Sequence, residues 1–193
     1  MENFIDSTAE MPRIREVADE LRDLVLANLA LIGETPAPTF AEDPRAKVLL
    51  ERFSAAGVQN ASMDRLGSVA GMIPGSDGRQ TILLTSNLDT IVEDILDQTI
   101  ELQSDRVIGP FVGDNSLALA ALSVLPTLLD RLQLNLKSNL VLLGGVRALK
   151  RGNVEGLRTF LAESGLSISG GITLESVQLG RLNYTCMGML RGE

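Results

Sequence analysis

The segment TILLTSNLDT, residues 81–90, joins an apolar run to a polar one. Residues 81–86 form a short and mostly aliphatic run, which predicts a buried strand. Asn87, Asp89 and Thr90 follow directly, so polar side chains come where the predicted strand ends. Open α/β sheets bind ligands outside the carboxyl ends of their strands. The segment therefore predicts a buried strand that leads into a functional edge of a sheet.

Two more apolar runs, at 140–146 and 171–175, predict strands of the same kind, and the second ends at Glu175. Predicted helices at 115–132 and 154–164 alternate with them along the chain. Such alternation is typical of an α/β fold with helices on both faces of a largely parallel sheet. We therefore predict a three-layer α/β/α architecture with a mostly parallel central sheet.

The remaining segments predict further elements around this sheet. Apolar residues at spacings of three and four predict helices at 12–32, with Pro12 as a first helical residue, and at 44–56. Pro126 lies inside the helix predicted at 115–132 and is expected to kink or divide it. The other predicted elements are short β segments within 59–74, a tight turn at 74–78, a hairpin formed by 98–102 and 106–108, and a last strand at 182–187.

Composition excludes several classes of function. The 193 residues suit a single domain, 1–193, and the net charge of −8 disfavours binding to nucleic acid or to a membrane surface. The chain has no histidine, which removes the usual general base and the usual ligand of catalytic zinc. Its single cysteine, Cys186, has no partner for an intramolecular disulfide, and the acidic N-terminus is unlike a leader. The longest nearly apolar run, 117–129, is too short to cross a bilayer. We expect a cytoplasmic protein.

Four motifs follow the predicted strands in order: NLDT at 87–90, GPFVGD at 109–114, the pair at 148–149, and Glu175. Asp114 follows Asn87 by 27 positions, and Leu149 follows Asp114 by 35. This order and spacing resemble the catalytic domain of the M20 family of zinc-dependent aminopeptidases, carboxypeptidases and deacylases. That family has His-x-Asp-Thr, Gly-x-Gly-x-x-Asp, Glu-Glu and a later carboxylate at these places. The resemblance covers about residues 14–191, includes the segment 152–161, and implies a zinc-peptidase-like fold.

Three acidic residues fall on positions that carry a role in the family. Asp114 takes the place of the aspartate that bridges two metal ions, and Glu175 takes the place of a later carboxylate ligand. Asp89 falls where the family has the aspartate that orients a metal-binding histidine. The resemblance thus implies that Asp114 and Glu175 are remnants of a metal site, with Asp89 beside it.

The other positions have lost the chemistry that the resemblance implies. Asn87 stands in place of the metal-binding histidine, Ala148 in place of the general-base glutamate, and Leu149 in place of the adjacent glutamate ligand. A catalytic zinc takes about three protein ligands and keeps an open position for water. Two carboxylates suit at most a weakly held Mg²⁺ or Ca²⁺, and neither Ala148 nor Leu149 can accept a proton from water. We therefore predict a chain without a cofactor and without peptidase activity.

The resemblance also bears on the end of the chain. In the family a smaller lid and dimerisation domain follows the strand that corresponds to 182–187, and a returning segment with the last histidine ligand completes the catalytic domain. Here the sequence stops at Glu193, about where the lid would begin. We expect an incomplete sheet without the lid domain, covered by a second copy or a protein partner. A truncated chain accounts for this ending equally well.

Three functions stay open at this point. The first is a non-catalytic homologue that binds a partner protein or a small peptide or amino-acid-like ligand. The second is an active hydrolase of small peptides or N-acyl amino acids, with zinc held in a remodelled site. The third is an assembly subunit in which the site is vestigial. Taken alone, Gly113, Asp114 and Asn115 also suit an ordinary glycine turn that caps a helix.

Overall fold

The computed structural model describes residues 7–91 and 97–175. The helices are α1 (Ser7–Glu20), α2 (Arg22–Gly33), α3 (Asp43–Ala55), α4 (Leu117–Arg131) and α5 (Glu155–Glu163). The strands are β1 (Gln59–Met63), β2 (Val69–Ile73), β3 (Thr81–Asn87), β4 (Glu101–Leu102), β5 (Val107–Ile108), β6 (Asn139–Gly145) and β7 (Ile168–Thr173). An irregular turn, Val112–Ser116, precedes α4, and a 3₁₀ turn, Lys150–Gly152, precedes α5.

Five of these strands form the central sheet, in the order β1-β2-β6-β3-β7. Strand β3 lies between β6 and β7 and is parallel to both, whereas β2 is antiparallel to β1 and to β6. It follows that β1, β3, β6 and β7 share one direction and that β2 opposes them. The predicted mixed, mostly parallel sheet is confirmed, and β4 and β5 form the predicted hairpin beside it.

The alternation of side chains along the strands divides the core into two layers. Leu142 of β6 packs with α2, α3 and α4 on one face of the sheet, together with residues such as Phe53. Leu83 and Leu143 point to the opposite face and pack against Phe160 of α5. Because successive side chains of a strand point to opposite faces, one apolar run serves both layers. The three-layer α/β/α prediction is confirmed.

The N-terminal helix differs from its prediction. The segment predicted at 12–32 forms two helices, with Leu21 between them at φ −87° and ψ 0°. The backbone bonds from Leu21 N to Val17 O and from Val25 N to Leu21 O continue across this junction. Helix α1 begins at Ser7, so Pro12 lies inside it and not at its first position. Because proline has no N–H group, α1 lacks one of its main-chain hydrogen bonds at this position.

Pro126 does not divide helix α4, which continues from Leu117 to Arg131. Seven residues of α4 are buried, Pro126 among them, so packing offsets the hydrogen bond that proline cannot make.

The segment Val112–Arg131 is long and apolar enough to cross a membrane by composition. This segment includes α4, which packs against α2 and β3, so its apolar residues contribute to the core. Cys186 and the strand predicted at 182–187 lie outside the described residues.

We expect Leu142→Ala to lower the free energy of unfolding by about 2–5 kcal/mol, because it leaves a cavity where α2, α3 and α4 meet the sheet. Leu142 is fully buried, whereas Leu102 on the hairpin is 51% exposed. Leu102→Ala is therefore the matched control, with an expected loss below about 0.5 kcal/mol. Urea unfolding followed by circular dichroism measures both. Equal losses in the two variants would contradict this assignment of the core.

Candidate functional site

The carboxyl ends of β3, β6 and β7 lie at one edge of the sheet. Asn87 at the end of β3 is paired in register with Gly145 at the end of β6, and Thr85 is paired with Thr173 at the end of β7. The chain after β7 stays at this edge, since Leu174 N donates to Thr85 O at 2.8 Å. Parallel pairing thus places the loops after all three strands side by side, as the sequence predicts.

Asn87 and Glu175 meet at this edge. The Asn87 side-chain amide, through Nδ2, donates to Glu175 Oε1 at 3.4 Å. Partial burial and the negative charge of Asp114 raise the pKa of Glu175 above its ordinary value. The structure therefore brings together Asn87, Asp114 and Glu175, three of the sequence-predicted residues. Two carboxylates that repel each other, with an amide donating to one of them, can attract a cation or accept hydrogen bonds from a ligand.

Asp114 lies in the irregular turn that leads into α4, at φ −124° and ψ 93°, and it is exposed. The peptide bond between Asp114 and Asn115 is cis. Asn115 is buried beneath the turn, and its Nδ2 donates to Ser86 Oγ at 2.8 Å. This bond attaches the turn before α4 to the end of β3 and so places Asp114 at the same edge of the sheet. No side-chain hydrogen bond caps α4, so these residues do not form the simple helix cap that the motif alone would suit.

Asp89 lies two residues past β3 and is only 2% exposed. Its Oδ1 accepts a hydrogen bond from Ala148 N at 3.1 Å, and its Oδ2 accepts bonds from Leu149 N at 2.8 Å and Thr39 Oγ1 at 3.0 Å. Both oxygens of the carboxylate are thus engaged by three donors. The structure places Asp89 beside Ala148 and Leu149, as a bond partner of their main chain.

Arg45 of α3 lies beneath this loop and is 1% exposed. Its guanidinium donates to three main-chain oxygens, those of Thr35 at 2.9 Å, Leu88 at 3.3 Å and Gly33 at 3.4 Å. Burial lowers the pKa of Arg45 to about 10, while the negative charge of Asp89 acts in the opposite direction. Arg45 thus supplies positive charge below Asp89 and joins the end of α2 to the loop after β3.

The residues of this edge do not fit the dinuclear zinc centre that the sequence resemblance implies. Asn87 uses its amide nitrogen as a donor towards Glu175, and both Asp89 oxygens are engaged by protein donors. Ala148 and Leu149 offer no side-chain ligand. Within 7–91 and 97–175, no group of three or more His, Cys, Asp or Glu side chains is placed to hold a metal ion. Catalytic zinc takes about three such ligands, so the donor set is too small.

Sequence reasoning missed the buried charges that support this edge, Glu42 and Arg45. One signal could have found Arg45: it lies four and eight residues before Leu49 and Phe53, on the buried face of α3. An arginine on an apolar face has to find acceptors inside the protein. Glu42 gives no such signal, because its bond to Arg147 N spans 105 positions of sequence.

Comparison with solved structures shows which known fold this is. A tripeptidase from Staphylococcus aureus matches with a TM-score of 0.65 and 17% identity over 81% of this chain and 44% of that one. A dinuclear metal-binding peptidase of the M20 family from Bacillus subtilis matches with 0.61 and 12% over 81% and 44%. An M20 family metallo-carboxypeptidase from Sulfolobus solfataricus matches with 0.62 and 20% over 77% and 36%.

The described chain has the fold of the catalytic domain of M20 family peptidases, as its sequence motifs predict. The chain spans less than half the length of these three proteins. No family model matches the sequence, and no curated protein matches it in sequence either. The similarity is therefore one of fold, and the chemistry has to be argued from the residues at the edge.

We expect Asp114→Asn to lower the pKa of Glu175, because it removes the second of the two causes that raise it. The pKa stays above the ordinary value, since burial remains. A raised carboxyl pKa means that ionised Glu175 opposes folding at neutral pH and that this cost disappears as the pH falls through the pKa. A carbon-13 NMR titration of the Glu175 carboxyl measures the shift.

The matched control for this titration is Asp105→Asn. Asp105 is an exposed carboxylate beside the hairpin and is paired with Arg106. This change is expected to leave the pKa of Glu175 where it is in the original protein. A Glu175 pKa that is unchanged or higher in Asp114→Asn would show that the two carboxylates do not interact.

Proposed function

We propose that this chain is a non-catalytic relative of the M20 peptidases that acts by binding or assembly. The observation that carries the proposal is the loop after β6. Its residues Ala148 and Leu149 have apolar side chains, while their main-chain N–H groups are bonded to Asp89. The positions that the resemblance gives to a general base and a metal ligand thus hold no group that can perform either role.

Asp89, the acid beside this loop, does not replace the lost base. Activation of water needs a proton acceptor within hydrogen-bond reach of that water. Asp89 is buried and accepts three protein hydrogen bonds, so its oxygens are already used. Asp114 and Glu175 remain at the edge, and they supply negative charge and hydrogen-bond acceptors. Those properties suit recognition of an amide or an ammonium group.

We propose a small peptide or an amino-acid-like molecule as the ligand of this edge. The carboxylates of Asp114 and Glu175 would accept hydrogen bonds from its amine or amide groups, and Leu149 would contribute apolar contact. Names among the structural neighbours, such as tripeptidase and metallo-carboxypeptidase, agree with this ligand class. We place this protein in the cytoplasm under the same proposal. Because its net charge is −8, we propose neither nucleic acid nor a membrane as its partner.

Zinc titration by isothermal calorimetry tests the proposal. We expect the original chain to show no stoichiometric zinc binding, because Asn87 and Leu149 leave only two carboxylate ligands. The variant Asn87→His/Leu149→Glu returns two ligands to the edge and is expected to bind zinc. Adding Asp114→Ala to that variant is expected to weaken its binding by about tenfold or more, as the loss of one ligand should.

The opposite result is equally informative. Tight, stoichiometric zinc binding by the original chain that disappears in Asp114→Ala would overturn the proposal. It would favour an active hydrolase with a remodelled site, and turnover of small peptides and N-acyl amino acids would then be measured.

We also propose that strand β7 is an assembly surface, covered by a second copy of this chain or by a protein partner. In the described ranges β7 is the last strand of the sheet, and its Ile172 side chain is 57% exposed. Exposed apolar side chains on an edge strand promote association.

Light scattering after gel filtration is expected to show a dimer or larger oligomer, which Ile172→Asp dissociates. Leu102→Asp, on the hairpin, is the control that leaves the oligomer intact. A monomeric original chain would contradict self-association.

A further inference from the structure

Three consecutive main-chain N–H groups after β6 donate to buried carboxylates. Arg147 N donates to Glu42 Oε1 at 2.8 Å, Ala148 N to Asp89 Oδ1 at 3.1 Å, and Leu149 N to Asp89 Oδ2 at 2.8 Å. The carboxylates come from different parts of the chain, Glu42 from the start of α3 and Asp89 from the loop after β3. Two carboxylates from different parts of the chain therefore bind the main chain of one short loop.

Both carboxylates are deeply buried, with Glu42 4% exposed and Asp89 2% exposed. A buried carboxylate is costly unless it accepts hydrogen bonds or lies near positive charge. The main-chain N–H groups of the loop supply these hydrogen bonds, and Arg45 beneath Asp89 supplies the positive charge. Hydrogen bonds to charged groups are stronger than neutral ones, so the loop is held more firmly than a typical surface loop.

The main-chain oxygens of the same loop are also bonded. Val146 O, Arg147 O and Ala148 O accept from the N–H groups of Gly156, Glu155 and Val154 in turn. Gly156 allows this close approach, since a Cβ there would lie 2.6 Å from Val146 O. Donors and acceptors of the loop are thus satisfied by neighbouring elements. None of these hydrogen bonds uses the side chain of residue 148 or 149.

The geometry points to Asp89 and Glu42 as positioning residues that form a carboxylate clasp on the loop Arg147–Leu149. The motif resemblance gives Asp89 the task of orienting a histidine, but the chain contains none. In this chain Asp89 instead binds the main chain of the loop. The clasp goes beyond the proposed function, because it holds the loop whether the edge binds a peptide, a metal ion or nothing.

Amide hydrogen exchange of the original chain, followed by NMR, tests the clasp without any variant. Residues 147–149 belong to no helix or strand. The clasp predicts that their N–H groups are protected about 100-fold or more against exchange, as main-chain groups in stable hydrogen bonds are. Exchange of these three amides at the rate of an open loop would overturn the inference.

Two variants separate the clasp from general stability. Asp89→Asn keeps one oxygen acceptor, so exchange of at least one of the Ala148 and Leu149 amides is expected to rise by about tenfold or more, while Arg147 changes little. Glu42→Gln leaves one acceptor oxygen but removes the charge, and the rise is expected at Arg147 alone. Asp114→Asn removes an exposed carboxylate of the same edge and is expected to change none of the three.

The pattern among residues decides the result, because a variant that only destabilises the protein raises exchange everywhere. A rise at Leu83 in the core of β3 as large as that at Ala148 and Leu149 would overturn the clasp. Equal rises in the exchange rates of the 147, 148 and 149 amides in both variants would also overturn the clasp. Exchange confined to the partners of each removed carboxylate supports it.

Discussion

The edge of the sheet depends on one buried carboxylate, that of Asp89. It accepts hydrogen bonds from the loop after β6 and from Thr39 in the segment between α2 and α3. The backbone next to it is tied to the same segment, since Thr90 N donates to Ala37 O at 2.8 Å. Arg45 adds a buried positive charge below. These bonds add to the pairing of β3 with β6, and to the bond from Leu88 N to Gly145 O, in fixing the loops after the two strands relative to each other.

This arrangement separates the contacts that hold the loop 147–149 from the side chains that the M20 resemblance singles out. The side chains at 87, 148 and 149 differ from those that the resemblance implies, and none of them makes the bonds that hold this loop. Those bonds join the main-chain N–H groups of 147–149 to the carboxylates of Glu42 and Asp89. None of these bonds uses the side chain of residue 148 or 149.

Sequence reasoning predicted the sheet and the edge at which its motifs meet because those features have local signals. The apolar runs around Leu83 and Leu142 identify strands, and the spacing from Asn87 to Asp114 to Leu149 identifies the family fold. The supporting contacts have no local signal. The bond from Leu149 N to Asp89 spans 60 positions and that from Arg147 N to Glu42 spans 105. Such pairs become visible only once β3 and β6 lie side by side.

The helices show the same limit. Apolar periodicity predicted one helix at 12–32, and the pattern gives no signal for the break at Leu21 that separates α1 from α2. Pro126 was expected to kink or divide α4, and the helix stays undivided because its apolar face is buried between α2 and the sheet. In α4, tertiary contacts outweigh the preference of a single residue.

A crystal structure of the full chain grown with zinc, with anomalous scattering measured at the zinc edge, tests the central claim most directly. The account predicts no anomalous peak between Asn87, Asp114 and Glu175, together with intact bonds from Ala148 N and Leu149 N to Asp89. A peak coordinated by Asp114 and Glu175, with Asp89 released from the loop after β6, would contradict it.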